Sequence, residues 1–164
     1  MDENLQQSFL RFCKTNQFEI NPKQVEIINL LENFISTKKR LFNIFKKDRR
    51  LCFYLHGGVG VGKTMLLNFF YNNIKIKKNR MHFNEFMINF HDYRHKEKND
   101  NSITNFVKNL KKNYDLIYLD EFQVTNIVDA MILGKLFEVI FKENIKIIIT
   151  TNIKLNDLYK DGLQ

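Results

Sequence analysis

Apolar positions recur at helical spacing from the start of the chain: Leu5, Phe9, Phe12 and Cys13 fall on one face of a 3.6-residue period. Asn21-Pro22 reads as a helix start, a capping amide followed by the residue whose fixed φ suits the first helical position. Val25, Ile28, Leu31, Phe34 and Ile35 carry that helix as an apolar stripe, which Leu41, Phe42, Ile44 and Phe45 extend toward the basic segment 46–50. At residue 51 the period changes. Leu51-Cys52-Phe53-Tyr54-Leu55 is a short continuous apolar run bounded by glycine, which predicts a buried strand. Residues 63–73 read as a helix and Met81-His82-Phe83 as a short strand. Residues 86–95 and 102–112 read as helices, the second with Ile103, Phe106, Val107 and Leu110 on one face. Leu116-Ile117-Tyr118-Leu119 predicts a second buried strand, and Thr125 the cap of a long helix reaching Phe141. Residues 145–149 form a third clear strand, ending at Thr150-Thr151-Asn152.

Short apolar strands alternating with helices predict an α/β fold, a parallel sheet sandwiched by helices. Ligands of such sheets bind beyond the carboxyl ends of the strands. Those ends carry HGGVGVGKT (56–64), Asp120-Glu121 and Thr150-Thr151-Asn152. A chain of 164 residues suits a single domain, and one of this size buries roughly 70% of its unfolded surface. The expected organisation is an N-terminal helical segment, 1–50, packed on a core formed by 51–164. There is no internal repeat and no low-complexity linker.

Net charge sharpens the partner question. It is +8, with a pI of about 9.4. The basic clusters (Lys38-Lys39-Arg40, Lys46-Lys47, Arg49-Arg50, residues 75–80, Lys111-Lys112) are scattered rather than gathered in one stripe, which favours solvated helix faces over a nucleic-acid track. Cys13 and Cys52 make no disulfide framework, and Cys52, inside a strand pattern, reads as a buried thiol. MDENLQQ has no signal or transit character, and no apolar run approaches membrane-spanning length. A cytoplasmic setting is the default expectation.

Four of the six glycines fall in HGGVGVGKT. Glycine is entropically unfavourable to order, so a cluster marks a backbone that cannot carry side chains. Gly57, Gly62, Lys63 and Thr64 match G-x-x-x-x-G-K-[ST], here between a strand and a helix, as a phosphate cradle requires. Backbone N–H groups then surround the phosphates, and the helix adds its first amides and the positive end of its dipole. Gly57, Gly58, Val59, Gly60, Val61, Gly62, Lys63, Thr64 and Met65 are the candidate nucleotide-binding set. Lys63 would reach the β- and γ-phosphates and the Thr64 hydroxyl would hold Mg²⁺. Asp120 and Glu121 end the second strand, where two acids call for a cation: Asp120 as a Mg²⁺ partner, Glu121 to orient or deprotonate a water. Asn152 could bond a γ-phosphate or that water, or be an ordinary polar loop residue. His91 and His95 stand at i, i+4, yet lack further ligands at metal spacing and read as a solvated face.

With both phosphate motifs placed, the chain resembles the AAA+ class and, more narrowly, the ZapE family of bacterial cell-division ATPases and their mitochondrial counterparts. The resemblance rests on YLHGGVGVGKTMLLNFFY (54–71), MHFNEFMINFH (81–91), LIYLDEFQVTNIVDAMILGKLFEVIF (116–141), ITTN (149–152) and DLYKDGLQ (157–164). Residues 1–50 match loosely. It implies a P-loop NTPase of AAA+ type, with Mg-ATP hydrolysis coupled to remodelling of a protein partner: the division ring in the bacterial branch, membrane-protein quality control in the mitochondrial one. It carries the catalytic roles to Lys63, Glu121 and the γ-phosphate sensor Asn152. A cytoplasmic, bacterial-type protein is expected over a mitochondrial one, with a protein substrate, homo-oligomers of a full-length chain and peripheral membrane contact all compatible.

Three positions depart from the family pattern. Val61 stands where arginine is usual, Asn84-Glu85 where His-Arg often stands, and Asn126 where Asp is usual. The chain stops at Gly162-Leu163-Gln164, where the family continues into an arginine finger, a fifth strand and a helical lid. The expectation is a C-terminally truncated core with residues 51–55 near a sheet edge. An arginine finger is worth about 10³–10⁵ in rate, so hydrolysis would be slow without one. Two alternatives remain: a nucleic-acid-associated AAA+ protein such as a helicase loader, which the ZapE-like run disfavours, and a non-catalytic ATP-binding fragment.

Overall fold

The computed structural model describes residues 4–36, 50–97, 99, 101–125 and 127–158. In chain order the elements are α1 (Leu5–Thr15), α2 (Pro22–Ile35), β1 (Cys52–His56), α3 (Lys63–Asn73), β2 (Lys78–His82), α4 (Phe83–Glu97), α5 (Ser102–Asn113), β3 (Leu116–Asp120), α6 (Ile127–Lys142) and β4 (Lys146–Thr151), followed by a 3₁₀ turn, Leu155–Asp157. The expected extension of the second helix through Leu41 to Phe45, the basic clusters at 38–40 and 46–49, Asn126 and residues 159–164 lie outside the described residues.

The described residues form two compact units. The first comprises those of 1–50 together with Gly62–Lys75, and so contains α1, α2 and α3. Its caps follow the sequence. Asn4 Oδ1 accepts from the Gln7 N–H at 2.8 Å, and Asn21 Oδ1 from the Lys23 N–H at 2.9 Å, with Pro22 opening α2. The apolar stripes meet: Phe9 and Phe12 of α1 each lie 5.1 Å from the Phe69 ring of α3, and Phe9, Cys13, Ile28 and Leu31 are fully buried.

The second unit comprises Leu51–Val61 and the described residues from Ile76 onward. Its four strands are all parallel, in the order β1-β4-β3-β2. Register pairs Ile117 with Ile147, and Leu119 with both Ile149 and Met81. That face packs on Phe83, Phe86 and Phe90 of α4, Phe106 and Val107 of α5, and Leu133, Leu136 and Ile140 of α6. The opposite face of β3 carries Leu116, Tyr118 and Asp120, also buried. Burial of β3 on both faces explains why it reads as an uninterrupted apolar run.

Two expectations are corrected. β1 is an edge strand, as expected, but runs Cys52–His56 rather than 51–55, and Cys52 is exposed rather than buried because a strand with one neighbour is covered on one side only. β2 begins at Lys78, before the apolar residues that marked it, and Phe83 already belongs to α4. The long helix is described from Ile127 onward, and Asn126, which separates it from the expected cap Thr125, lies outside the described residues. His91 also does more than face solvent: its Nε2 lies 3.1 Å from Asp129 Oδ1, joining α4 to α6.

Candidate functional site

The glycine loop leaves β1 at Gly57, whose N–H donates to the Thr151 carbonyl at 3.2 Å. That bond ties the start of the loop to the end of β4. Gly60 (φ 81°) and Gly62 (φ 84°) are left-handed, a backbone region where a Cβ is strained. At Gly60 the space beside the backbone is open, so the dihedral alone calls for glycine. At Gly62 space is short as well: a Cβ would lie 2.6 Å from the Gln24 Nε2 atom of α2. Gly62, the N-cap of α3, makes no side-chain cap hydrogen bond, having no side chain to do so. Lys63 is half-buried and Thr64 exposed at the first two positions of that helix. Val59 and Val61 project outward from the loop, 87% and 54% exposed.

The acidic pair stands at the carboxyl end of β3, where its members have opposite environments. Asp120 is buried, 8% exposed, and Phe122 is buried against the Phe83 ring at 4.5 Å. Between them Glu121 is turned out to solvent with φ 55°, left-handed in a residue that has a Cβ. The turn is pinned by the Phe122 N–H donating to the Thr150 carbonyl at 2.8 Å and the Thr151 hydroxyl donating to the Phe122 carbonyl at 2.7 Å. The only neighbour of the Glu121 carboxylate in an ion pair among the described residues is His82, with Nδ1 at 3.6 Å, and both side chains are largely solvated.

Asp120 is fully engaged. Oδ1 accepts from the Thr150 hydroxyl and, at 3.2 Å, from the Glu121 N–H. Oδ2 accepts from the Arg80 guanidinium at 2.6 Å. Arg80 also lies over the Tyr118 ring, its Cζ 4.8 Å from the centroid. Thr150 has one proton and gives it to Asp120, so the Tyr118 hydroxyl is the donor in its 3.5 Å contact with Thr150 Oγ1. Burial works to raise the Asp120 pKa, but the hydrogen bonds from Thr150 and Arg80, with the Arg80 charge, outweigh it and hold the carboxyl below its ordinary range. Burial pushes the Tyr118 phenol up to about 12. The site therefore keeps one buried carboxylate ionised beside one solvated carboxylate.

Asn152 follows β4 and is exposed. The next peptide is held by the Ile153 N–H donating to Thr151 Oγ1 at 3.1 Å and the Tyr54 hydroxyl donating to the Ile153 carbonyl at 2.8 Å. Gly57, Asp120, Glu121 and Asn152 thus share the carboxyl edge of one sheet, as the strand ends predict. The sequence places Thr150 at a strand end, His82 in a strand and Arg80 in a basic run, but gives none of them a role at this site. The signal lay in register: Arg80 pairs with Tyr118 and His82 with Asp120, but only if β2 starts at Lys78, which its polar first residues conceal.

The donor set fits magnesium. Mg²⁺ takes oxygen ligands, few of them from protein, and keeps several waters. An ionised strand-end aspartate such as Asp120 is a donor of that kind. No group of three or more His, Cys, Asp or Glu suited to a softer or fully caged metal occurs among the described residues, His91 and His95 included. No helix among the described residues is long and apolar enough to cross a membrane.

Comparison with known proteins gives the family and the fold. The family model described as AFG1-like ATPase matches residues 16–164. The chain is 39% identical over 125 residues to Lactation elevated protein 1 homolog B of Danio rerio, covering 68% of this chain and 25% of that protein. It is 36% identical over 113 residues to the cell division protein ZapE of Escherichia coli K12, covering 68% and 30%. The resemblance read from the motifs is thereby matched in both branches, while the chain spans only about a quarter to a third of those relatives' lengths. Among solved structures, AMPPCP-bound DnaA from Aquifex aeolicus superposes with a TM-score of 0.60 at 18% identity, covering 91% of this chain and 44% of that one. DnaI does so with a TM-score of 0.54 at 19% identity, covering 90% and 76%. At such identity the likeness is one of fold, that of AAA+ P-loop proteins.

Proposed function

From the premise that the chain belongs to the AFG1-like ATPase family, we propose that it binds Mg-ATP, hydrolyses it, and couples the cycle to remodelling of a protein partner. The observation that carries this reading is the pair at the end of β3, a buried aspartate held ionised and a glutamate turned outward beside it, on the sheet edge where Thr151 anchors the glycine loop.

The residues divide the work. The N–H groups of Gly57 to Gly62 and the first turn of α3 through Met65 surround the phosphates, and the glycines keep Cβ atoms out of the way. Lys63 supplies the cation for the β- and γ-phosphates. Thr64 and Asp120 would hold Mg²⁺, which would supply positive charge to offset that on the phosphate oxygens. Glu121, solvated yet fixed by its backbone, takes the proton from the attacking water at its carboxylate. Asn152 senses the γ-phosphate through its amide. Val61 removes a cation from the loop edge relative to the family pattern, so phosphate affinity rests more heavily on Lys63.

The protein partner, a cell-division protein in the ZapE-like reading, follows from the family resemblance, as do homo-oligomers. Likeness to DnaA and DnaI at 18–19% identity carries fold, not DNA binding. Phosphate release from ATP by the purified chain, compared with Glu121→Gln, tests the reading. Turnover should fall by about 10²–10⁴ with nucleotide binding retained. Turnover that survives the substitution overturns the role of Glu121.

A further inference from the structure

We propose that Arg80 is a positioning residue of the nucleotide site: its guanidinium serves as the counter-cation of Asp120 while no metal is bound, and it sets the metal affinity of the site by competing for Oδ2. The proposal rests on the reading of Asp120 as a magnesium partner.

The two oxygens of Asp120 differ in what holds them. Oδ1 takes the Thr150 hydroxyl and the Glu121 N–H, donors fixed on β4 and on the pinned turn. Oδ2 takes the Arg80 guanidinium, carried on β2. A carboxylate this buried requires a cation or several donors. Arg80, with 30% of its side chain exposed and its guanidinium over the Tyr118 ring, supplies one that can withdraw without losing every partner. Magnesium and its water shell would approach the same oxygen. One elementary charge already there opposes the ion through repulsion and through the hydrogen bond it must give up. Arg80 therefore lowers metal affinity while stabilising the metal-free chain, two effects of opposite sign that a residue of purely architectural role would not produce together.

The test is calorimetric titration of the chain with AMPPCP, a non-hydrolysable ATP analogue, in EDTA and in excess Mg²⁺. The quantity read is the ratio of the two dissociation constants. In Arg80→Gln the enhancement by Mg²⁺ should rise about ten-fold over the wild type, while in Arg80→Lys, which keeps the charge, it should stay within about two-fold. The melting temperature of Arg80→Gln in EDTA should fall below that of the wild type. An enhancement that is unchanged or smaller in Arg80→Gln overturns the proposal.

Should Arg80→Gln fail to fold, the wild type decides. The arginine Nε–H resonance absent from Arg80→Lys identifies Arg80, and it should move when Mg²⁺ is added to the AMPPCP-bound chain. A resonance that stays in place overturns the proposal. Absence of AMPPCP binding with and without Mg²⁺ overturns the nucleotide reading and this proposal with it, whereas binding that tightens equally with Mg²⁺ in all three chains overturns this proposal alone.

Discussion

The hydroxyl of Thr150, on β4, donates a hydrogen bond to Asp120 on the neighbouring β3, so the carboxylate at the centre of the candidate site is held by a side chain with no charge of its own. Threonine can be replaced by valine at nearly constant shape, which isolates the hydroxyl. Thr150→Val should destabilise the chain by about 1–3 kcal/mol, because a buried carboxylate oxygen loses one of its two donors.

The pH dependence of that loss has a definite sign. The folded Asp120 pKa lies below its ordinary 3.8, so the folded state favours the ionised form. The stability linked to this group is fully present above pH 3.8 and is lost as pH falls through the folded pKa. Removing the Thr150 donor raises the folded pKa and shrinks that contribution. Urea unfolding of wild type and Thr150→Val at a series of pH values should show the gap between them widest near neutrality and narrowing toward acid. A gap independent of pH would refute the link.

Gly62 and Gln24 give a second pair. Gly62→Ala should be destabilising on two counts: the left-handed φ, worth about 1–2 kcal/mol, and the approach to Gln24. Adding Gln24→Ala should recover the contact component and leave the dihedral component. Gly60→Ala, with open space at its side, should show the dihedral component alone. Denaturant midpoints of the four chains check this, and equal losses in Gly60→Ala and Gly62→Ala would remove the steric role of Gln24.

How much of this was legible beforehand depends on what each residue signals. The fold class, the strand order's carboxyl edge and the glycine loop follow from apolar runs and from glycine itself, since both report local backbone demands. β1 as an edge strand was also expected, yet its exposure was misread: LCFYL carries the same apolar pattern as the buried LIYLD, and the pattern does not say how many neighbours a strand has. The roles of Arg80 and Thr150 were invisible for a related reason. Their roles come from register between strands 30 to 40 residues apart in sequence, and neither stands in a motif. Glu121 was found by type and position, but the left-handed backbone that turns it out follows from two buried neighbours, Asp120 and Phe122, whose anchoring only the assembled sheet provides.

That backbone yields a third prediction. Glu121→Gly relieves the left-handed strain, so it should raise stability by about 1 kcal/mol while removing turnover. Glu121→Gln, which keeps the Cβ, should remove turnover at unchanged stability. Thermal unfolding of both variants beside a phosphate-release assay separates the two effects, and a Glu121→Gly chain less stable than the wild type would mean that the dihedral is not strained.

The central claim, that the loop after β1 is a nucleotide cradle, is tested most directly by calorimetric titration of ATP with Mg²⁺ into the wild type and Lys63→Ala. Saturable binding by the wild type that is lost in Lys63→Ala, with the free variant still unfolding cooperatively, is the expected result. Equal ATP affinity in the two chains, or no saturable binding by the wild type, would contradict it.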